Sequence, residues 1–437
     1  MTPRRAHKVR EPKGAAPPAG RSLLVVHAAE LLTLRGPPGA RTRGAASELG
    51  ILEDGAVYVV DGRIVKVGVT AEVLRDHPRA ARTIDASGRT VLPGFVDAHT
   101  HAVFAGSREG EVDWKAEGLG YAEIADRGGG ILHTVGATRA ASEDELVRDA
   151  AGRLRAMAAH GTTTAEVKSG YGLTTADELK ILRAAERAGE LAGVRVVRTF
   201  LGAHAVPPEY AGRPDAYVDA IVSEGLDAVA SARAASFCDV FVERGYFSTE
   251  QARRILEAAI VRGLGAKVHA DELSDTGGAA LAADVGAVSA DHLIHVSDAG
   301  VEGMARAGVL ATLLPATSLA SRMPFADGRR LVQAGVPVAL GTDLSPATWC
   351  ESMQLVLALA RHHNGLLAAQ AIVAGTINAA HAVGRGDEVG SLEPGKIADL
   401  VVLDLPSHRH VGYRMGGNAV VHVVRGGNVA ASRESTM

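Results

Sequence analysis

The chain has 437 residues, 47% of them apolar and 22% charged, with 46 basic against 50 acidic side chains and a net charge of −4. This balance excludes a disordered or fibrous chain and offers no field for a polyanion, so the expected partner is a small-molecule substrate, with no nucleic acid and no membrane. Two cysteines, Cys238 and Cys350, cannot build a disulfide framework, and no apolar run reaches the roughly 20 residues of a membrane span, so the expected location is cytoplasmic.

In chain order, residues 1–21 are basic, lack the apolar core of a signal peptide and read as a disordered tail. Residues 22–90 read as half of a small β domain, with strands over 22–33 and 56–68, the second broken by Asp61-Gly62, a type I′ hairpin signal. The Gly-, Pro- and Arg-rich stretch 36–50 reads as a loop or a mobile insertion. From 91 to 385 short apolar runs alternate with helical stretches, the βα repeat of a parallel sheet. Helix starts are expected at Ser142, Thr175 and Ser248, each followed three residues on by Glu145, Glu178 or Gln251, and two helices stop near Gly161 and Gly263. The predicted strands are 95–101, 162–170, 194–204, 237–245, 264–272, 287–295, 309–315 and 336–343. Eight such units predict a closed α/β barrel with its chemistry at the C-terminal strand ends. Residues 386–437 return to β character, in IADLVVLD and in VVHVVRGGNVAAS around a Gly-Gly turn.

Polar residues fall where a barrel places its chemistry. Side chains alternate along a strand, so His99 and His101 project to one side and can chelate one metal. His269 ends the fifth predicted strand, His292 the sixth and Asp343 the eighth, all at the same edge. Packing does not explain such a set, because buried polar groups need partners. Three imidazoles and a carboxylate suit one divalent metal ion, Zn or Fe, with a position left for water. Glu272, three residues after His269, is close enough to act on that water as a general acid/base. Gly128-Gly129-Gly130 lacks the Lys-Ser/Thr of a phosphate loop and is read as letting the first loop fold close over the pocket.

VLPGFVDAHTH (91–101), the histidines of strands five and six, GTD (341–343) and LEPGKIADLVVLD (392–404) together resemble the amidohydrolase superfamily across nearly the whole chain. The resemblance implies a distorted (β/α)₈ TIM-like barrel over 91–385 with a small β-sandwich domain formed by the N- and C-terminal segments. Some members hold two metals through a carboxylated Lys on the fourth strand. FCDVFVERG (237–245) has no Lys, so a single-metal site is expected. Lys168, on strand two, is read as structural or as a substrate-side hydrogen bonder.

SREGEVDW (107–114), LGYAEIADRGGGILHTVGATRAAS (119–142), GTTTAEVKSGYGL (161–173), FLGAHAVPPEY (200–210), HADEL (269–273) and SADHL (289–293) resemble one branch of that superfamily. That branch hydrolyses the ring amide of 4-imidazolone-5-propanoate to N-formimidoyl-L-glutamate in histidine degradation. The resemblance implies metal ligands His99, His101, His269 and Asp343. It makes Glu272 the proton shuttle to the departing ring nitrogen and His292 the polariser of the carbonyl, with Asp343 sharing proton handling. It assigns Arg108 to the propionate and Tyr121, Tyr171 and His204 to the ring, and it implies a homodimer.

Ser345, Ala347 and Thr348 are further substrate positions, in a stretch that departs from the family pattern. Many members read Asn-Pro-Gly-Ser/Thr where this chain reads Ser-Pro-Ala-Thr. Ser345 removes an amide's paired donor and acceptor, and Ala347 restricts positive φ. Either the pocket is rebuilt with Trp349, or the substrate is a relative of imidazolonepropionate. Two rival readings remain at this stage: a deaminase of an aromatic base, with no propionate for Arg108 to clamp, and a metal-free binding protein on a decayed hydrolase fold, which would have lost ligands that are all present here.

Overall fold

The computed structural model describes residues 21–432, so the predicted tail, Arg21 apart, lies outside the described residues. Strands follow in chain order as β1 (Ser22–Leu32), β2 (Ile51–Val60), β3 (Arg63–Val69), β4 (Arg82–Asp85) and β5 (Thr90–Pro93). After them come β6 (Phe95–Asp97), β7 (Thr162–Lys168), β8 (Arg195–Ala203), β9 (Phe237–Val242), β10 (Gly265–Ala270), β11 (Ser289–His292), β12 (Leu310–Leu313) and β13 (Val338–Leu340). The chain ends on β14 (Leu400–Leu403), β15 (Val420–Arg425) and β16 (Asn428–Ser432).

Both chain ends build one mixed sheet in the order β16-β15-β14-β5-β1-β2-β3, with β4 on β1. Asp61 and Gly62 take φ of 47° and 81°, and a type I′ turn requires positive φ at both positions. This hairpin tip meets the one at the other edge of the sheet, since a Cβ on Gly62 would lie 2.9 Å from the Gly426 carbonyl oxygen. The edges thus come together and the sheet closes as a sandwich over Val25, Val57, Ile64, Leu400 and Val424. The stretch 36–50 is not a loose insertion. The Arg41 amide donates to Asn378 Oδ1 at 2.6 Å, Asn378 Nδ2 returns a bond to the Arg41 carbonyl, and Ala46 and Leu49 pack into the main core. Its backbone at Arg41 is thereby tied to the start of the last barrel strand, where Asn378 Nδ2 also reaches the Val338 carbonyl at 2.8 Å.

The second sheet runs β6 to β13 in chain order with every ladder parallel. The first and last strands close the barrel through the Ala98 amide to the Leu340 carbonyl at 3.3 Å, a parallel bridge between Thr100 and Leu344, and the His101 amide to the Leu344 carbonyl at 2.9 Å. Gly341 is required at this seam, because a Cβ there would stand 2.9 Å from the His99 backbone nitrogen. Among the described residues no helix is long and apolar enough to cross a membrane.

Capping boxes form at Ser142 and Ser248 as expected. The third start is one residue earlier than predicted: Thr174, not Thr175, caps the helix Thr175–Ala192 by accepting from the Asp177 amide. Glu178 has a different task. Its buried carboxylate accepts the amides of Gly170, Gly172 and Leu173 at 2.9, 2.7 and 2.7 Å. Three inward-turned donors demand a partner more strongly than one exposed cap does. Glu178→Ala is expected to cost on the order of 3 kcal/mol in urea unfolding and to raise KM by loosening the loop that carries Tyr171; an unchanged unfolding midpoint would show that the loop does not need this carboxylate.

Candidate active site

The C-terminal ends of the barrel strands converge on five side chains. His99 Nε2 lies 3.3 Å from His101 Nε2, which lies 3.4 Å from His269 Nε2. Asp343 Oδ1 is 3.6 Å from the first ring and 3.5 Å from the second. His292 joins His99 and His269 in a second group whose ligand atoms all lie within 4.8 Å of one another. The strand ends bend sharply to bring them together: His292 and Asp343 take φ of 75° and 51°, left-handed conformations that cost energy outside glycine and concentrate at functional sites.

A deeper layer of carboxylates sets the rings. His99 Nδ1 donates to Asp291 Oδ2 at 2.6 Å, and His269 Nδ1 pairs with Asp239 Oδ2 at 3.0 Å. With the proton held on Nδ1, the Nε2 lone pairs of these two rings point toward one another's neighbourhood, where only a cation or a proton relieves them. Burial holds His99 and His101 well below the ordinary imidazole range. Burial pushes His269 the same way, but Asp239 outweighs it and raises the ring's affinity for a proton. An N₃O set of neutral imidazoles and one carboxylate fits a borderline divalent ion. Thr317 Oγ1 orients Asp343 by donating to Oδ2 at 2.6 Å.

Lys168 lies beneath the histidines rather than among the cavity-lining residues, and its substrate-side reading falls: the fully buried ammonium pairs with Glu166, Asp239 and Asp291.

A cavity of about 220 Å³ opens above the cluster. His101, His269, Glu272, His292 and Asp343 line it, as do Tyr171, His204, Ser345, Ala347 and Thr348. Glu272 is held on a loop pinned at both ends. Asp271 accepts from the Thr276, Gly278 and Ala279 amides, and Glu243 accepts from those of Leu273 and Ser274. Burial, reinforced by Asp343, raises the Glu272 carboxyl to about 8, and its Oε1 stands 3.6 Å from His292 Nδ1. Burial lowers His204 to about 3, so the ring is neutral; it donates Nδ1–H to the Gly170 carbonyl and stacks on His101.

Arg108 also lines the cavity, but its Nε and Nη2 are engaged by the two oxygens of Glu111 at 2.7 and 2.8 Å. Glu111 Oε1 accepts the Gly130 amide as well, and a Cβ on Gly129 would strike it, so the glycine run does let the first loop fold down on the pocket. Tyr121 opens a short helix, and its side chain lies outside the described residues.

Trp349 does not rebuild the pocket. It is half exposed, sits edge-on to Phe104 at 5.4 Å and is absent from the cavity wall. Ala347 keeps a negative φ, so its Cβ introduces no strain in the tight turn that links Ser345 and Thr348. Lys115, Glu111, Asp239, Asp291 and Thr317 escaped the sequence reading. The signal was present for two of them: Asp239 and Asp291 interrupt the apolar runs of predicted strands four and six.

The comparisons with known proteins agree with this geometry. The amidohydrolase family matches residues 90–430, and the chain belongs to it. An imidazolonepropionase-like composite domain of bacteria matches residues 55–80. The imidazolonepropionase of Symbiobacterium thermophilum is 51% identical over 414 residues, 93% of this chain and 96% of its own length. That of Geobacillus kaustophilus is 48% identical, over 94% and 98%. Within the amidohydrolases the chain is therefore a member of the imidazolonepropionase family, a hydrolase acting on C–N bonds. Solved structures share the fold at low identity. A triazine hydrolase from Arthobacter aurescens superposes with a TM-score of 0.71 at 20% identity, covering 94% of each chain, and a zinc-bound adenosine deaminase from Xanthomonas campestris with 0.67 at 21%, covering 93% of this chain and 92% of its own.

The raised Glu272 carboxyl has a consequence for stability. In metal-stripped protein the unfolded chain releases this proton near 4.5 while the fold retains it to about 8, so stability falls as pH rises between those values. Glu272→Gln is expected to flatten that fall in thermal melts of stripped protein; parallel curves for the two proteins would contradict it.

Proposed function

We propose that this chain hydrolyses the ring amide of 4-imidazolone-5-propanoate to N-formimidoyl-L-glutamate in the degradation of histidine. The observation that carries the proposal is one cavity lined both by the histidine–carboxylate cluster and by the cationic side chains of Arg108 and Lys115, in a chain whose near-full-length relatives are imidazolonepropionases.

His99, His101, His269 and Asp343 would hold a single Zn or Fe ion, which when bound acidifies water and acts as a Lewis acid on a carbonyl. Glu272 takes the proton of the attacking water and passes it to the departing ring nitrogen. A carboxyl poised near 8 exchanges protons in both directions close to neutral pH. His292, kept neutral by burial, donates a ring N–H to the carbonyl oxygen as charge develops there. Asp343, whose second oxygen is held by Thr317 Oγ1, would share the proton traffic.

Two cationic side chains of the lining, Arg108 and Lys115, read the propionate. Arg108 is held rigid by Glu111, and Lys115 on the same wall restores a positive balance that the Glu111 carboxylate would otherwise cancel. His204, with Nδ1 donating to Gly170, offers Nε2 as an acceptor for a ring N–H, and Tyr171 packs beside it at 5.3 Å between centroids. Ser345, Ala347 and Thr348 complete the lining.

The test follows ultraviolet loss of freshly generated imidazolonepropionate, with mass spectrometry of the product. Chelation should abolish turnover and Zn or Fe restore it, and Glu272→Gln should lower kcat by about 10² to 10⁴. No formimidoylglutamate from metal-loaded wild type would overturn the substrate assignment. Arg108→Ala should lower kcat/KM by about 10² or more, mainly through KM; an unchanged KM would remove Arg108 from substrate binding and favour a substrate without a carboxylate.

A further inference from the structure

Trp349 lies outside the cavity, yet it directly follows the turn that lines it. Within that turn the Ser345 amide donates to the Thr348 carbonyl at 3.0 Å, and the Thr348 amide reaches both the Ser345 carbonyl and Ser345 Oγ at 3.2 Å. On its upstream side the turn is tied to the first barrel loop, because the His101 amide donates to the Leu344 carbonyl at 2.9 Å. On its downstream side the tie is an aromatic ring.

The Trp349 ring stands edge-on to Phe104, with centroids 5.4 Å apart, and the Arg153 guanidinium lies 3.5 Å from the Phe104 centroid and 5.2 Å from that of Trp349. Arg153 comes from the helix Glu143–Ala159 and is buried. Its Nη1 donates to the carbonyls of Ala102 and Phe104, both at 3.0 Å, so the same cation holds the backbone that follows His101. Burial lowers the guanidinium to about 10, which leaves it charged at neutral pH, and a desolvated cation is drawn to aromatic faces. Phe104 extends the contact to Tyr171, edge-on at 6.4 Å. One buried cation and its rings thus connect the loops after β6, β7 and β13, which carry Arg108, Tyr171 and the Ser345–Thr348 turn.

We propose that Arg153, Phe104 and Trp349 form an outer clamp that fixes the Ser345–Thr348 turn against the cavity and thereby sets how tightly substrate is held. All three are positioning residues, since none of them lines the cavity. The clamp rests on the reading of Ser345, Ala347 and Thr348 as substrate positions in the hydrolysis of imidazolonepropionate, and the experiment separates the two. Trp349 is the part to remove, because it is half exposed and its truncation opens no hole in the core.

Metal-loaded wild type, Trp349→Ala and Trp349→Phe are assayed on imidazolonepropionate. Trp349→Ala is expected to raise KM about tenfold and to leave kcat within about twofold, and Trp349→Phe, which keeps a ring for Phe104 and Arg153, to restore the wild-type KM. Arg153→Lys keeps the charge but gives up the planar stack; it should raise KM without adding to the effect of Trp349→Ala, since either change frees the same turn. In a Trp114→Phe background Trp349 is the only tryptophan. Its emission is expected to change as imidazole-4-propionate, a probe with the same side chain and no ring amide to cleave, fills the cavity. A lower melting temperature with an unchanged KM in Trp349→Ala would mark a purely structural residue and overturn the proposal. Additive effects on KM, or emission that stays constant at probe concentrations that inhibit turnover, would also overturn it. Wild type without turnover of imidazolonepropionate would overturn the substrate reading and, with it, the role of the clamp.

Discussion

A carboxylate cannot be left unpaired in a dry interior, and the centre of this barrel is arranged around that cost. Glu166, Asp239 and Asp291 are fully buried, and each is answered by a lysine, a histidine or a hydroxyl. The partners they need are the same groups that the surface of the site needs fixed. Because Asp291 and Asp239 stand against Nδ1 of His99 and His269, the Nε2 atoms of those two rings are turned toward His101 Nε2. The reactive face is thus a product of how charge is settled one layer below it, and residues that never line the cavity decide its geometry.

The same economy appears around the pocket. Glu178 satisfies three amides of the Tyr171 loop, Asp271 three amides of the turn after Glu272, and Glu111 the fork of Arg108 together with the Gly130 amide. Each of these three loops is held by a buried acid rather than by packing alone. This suits a barrel whose relatives in fold, a triazine hydrolase and an adenosine deaminase among them, keep the frame at about 20% identity. Side chains that anchor loops can change without altering the strands beneath, so pocket chemistry and scaffold vary independently.

What the sequence made legible follows from periodicity. His99 and His101 two apart, His269, His292 and Asp343 at strand ends, and the Asp61-Gly62 and Gly426-Gly427 turns all follow from local rules, and the structure brings the five polar residues together. The partners that act across the barrel were not legible. Asp291 meets His99 across 192 residues, and nothing in its own neighbourhood names that histidine. Glu178 looked like a cap residue because the local pattern Thr-Ala-Asp-Glu fits a box, but buried amides five to eight residues upstream compete for it more strongly. Trp349 drew attention as the one large side chain in a departing loop, yet its ring packs on Phe104 outside the cavity. Local pattern shows which residues carry chemistry; it does not show what each one leans on.

The sandwich built from both chain ends has a consequence for the order in which the molecule is made. β5 pairs with β14, and Thr90 Oγ1 donates to the Leu405 carbonyl 315 residues away. During synthesis the N-terminal hairpin therefore emerges with an open edge and waits while the whole barrel is translated before its closing strands arrive. Until then that edge is a surface on which other chains can pair. The last strands thus complete more than a small domain: they act as a late latch, and the sheet is secured only after the barrel between its halves has been made.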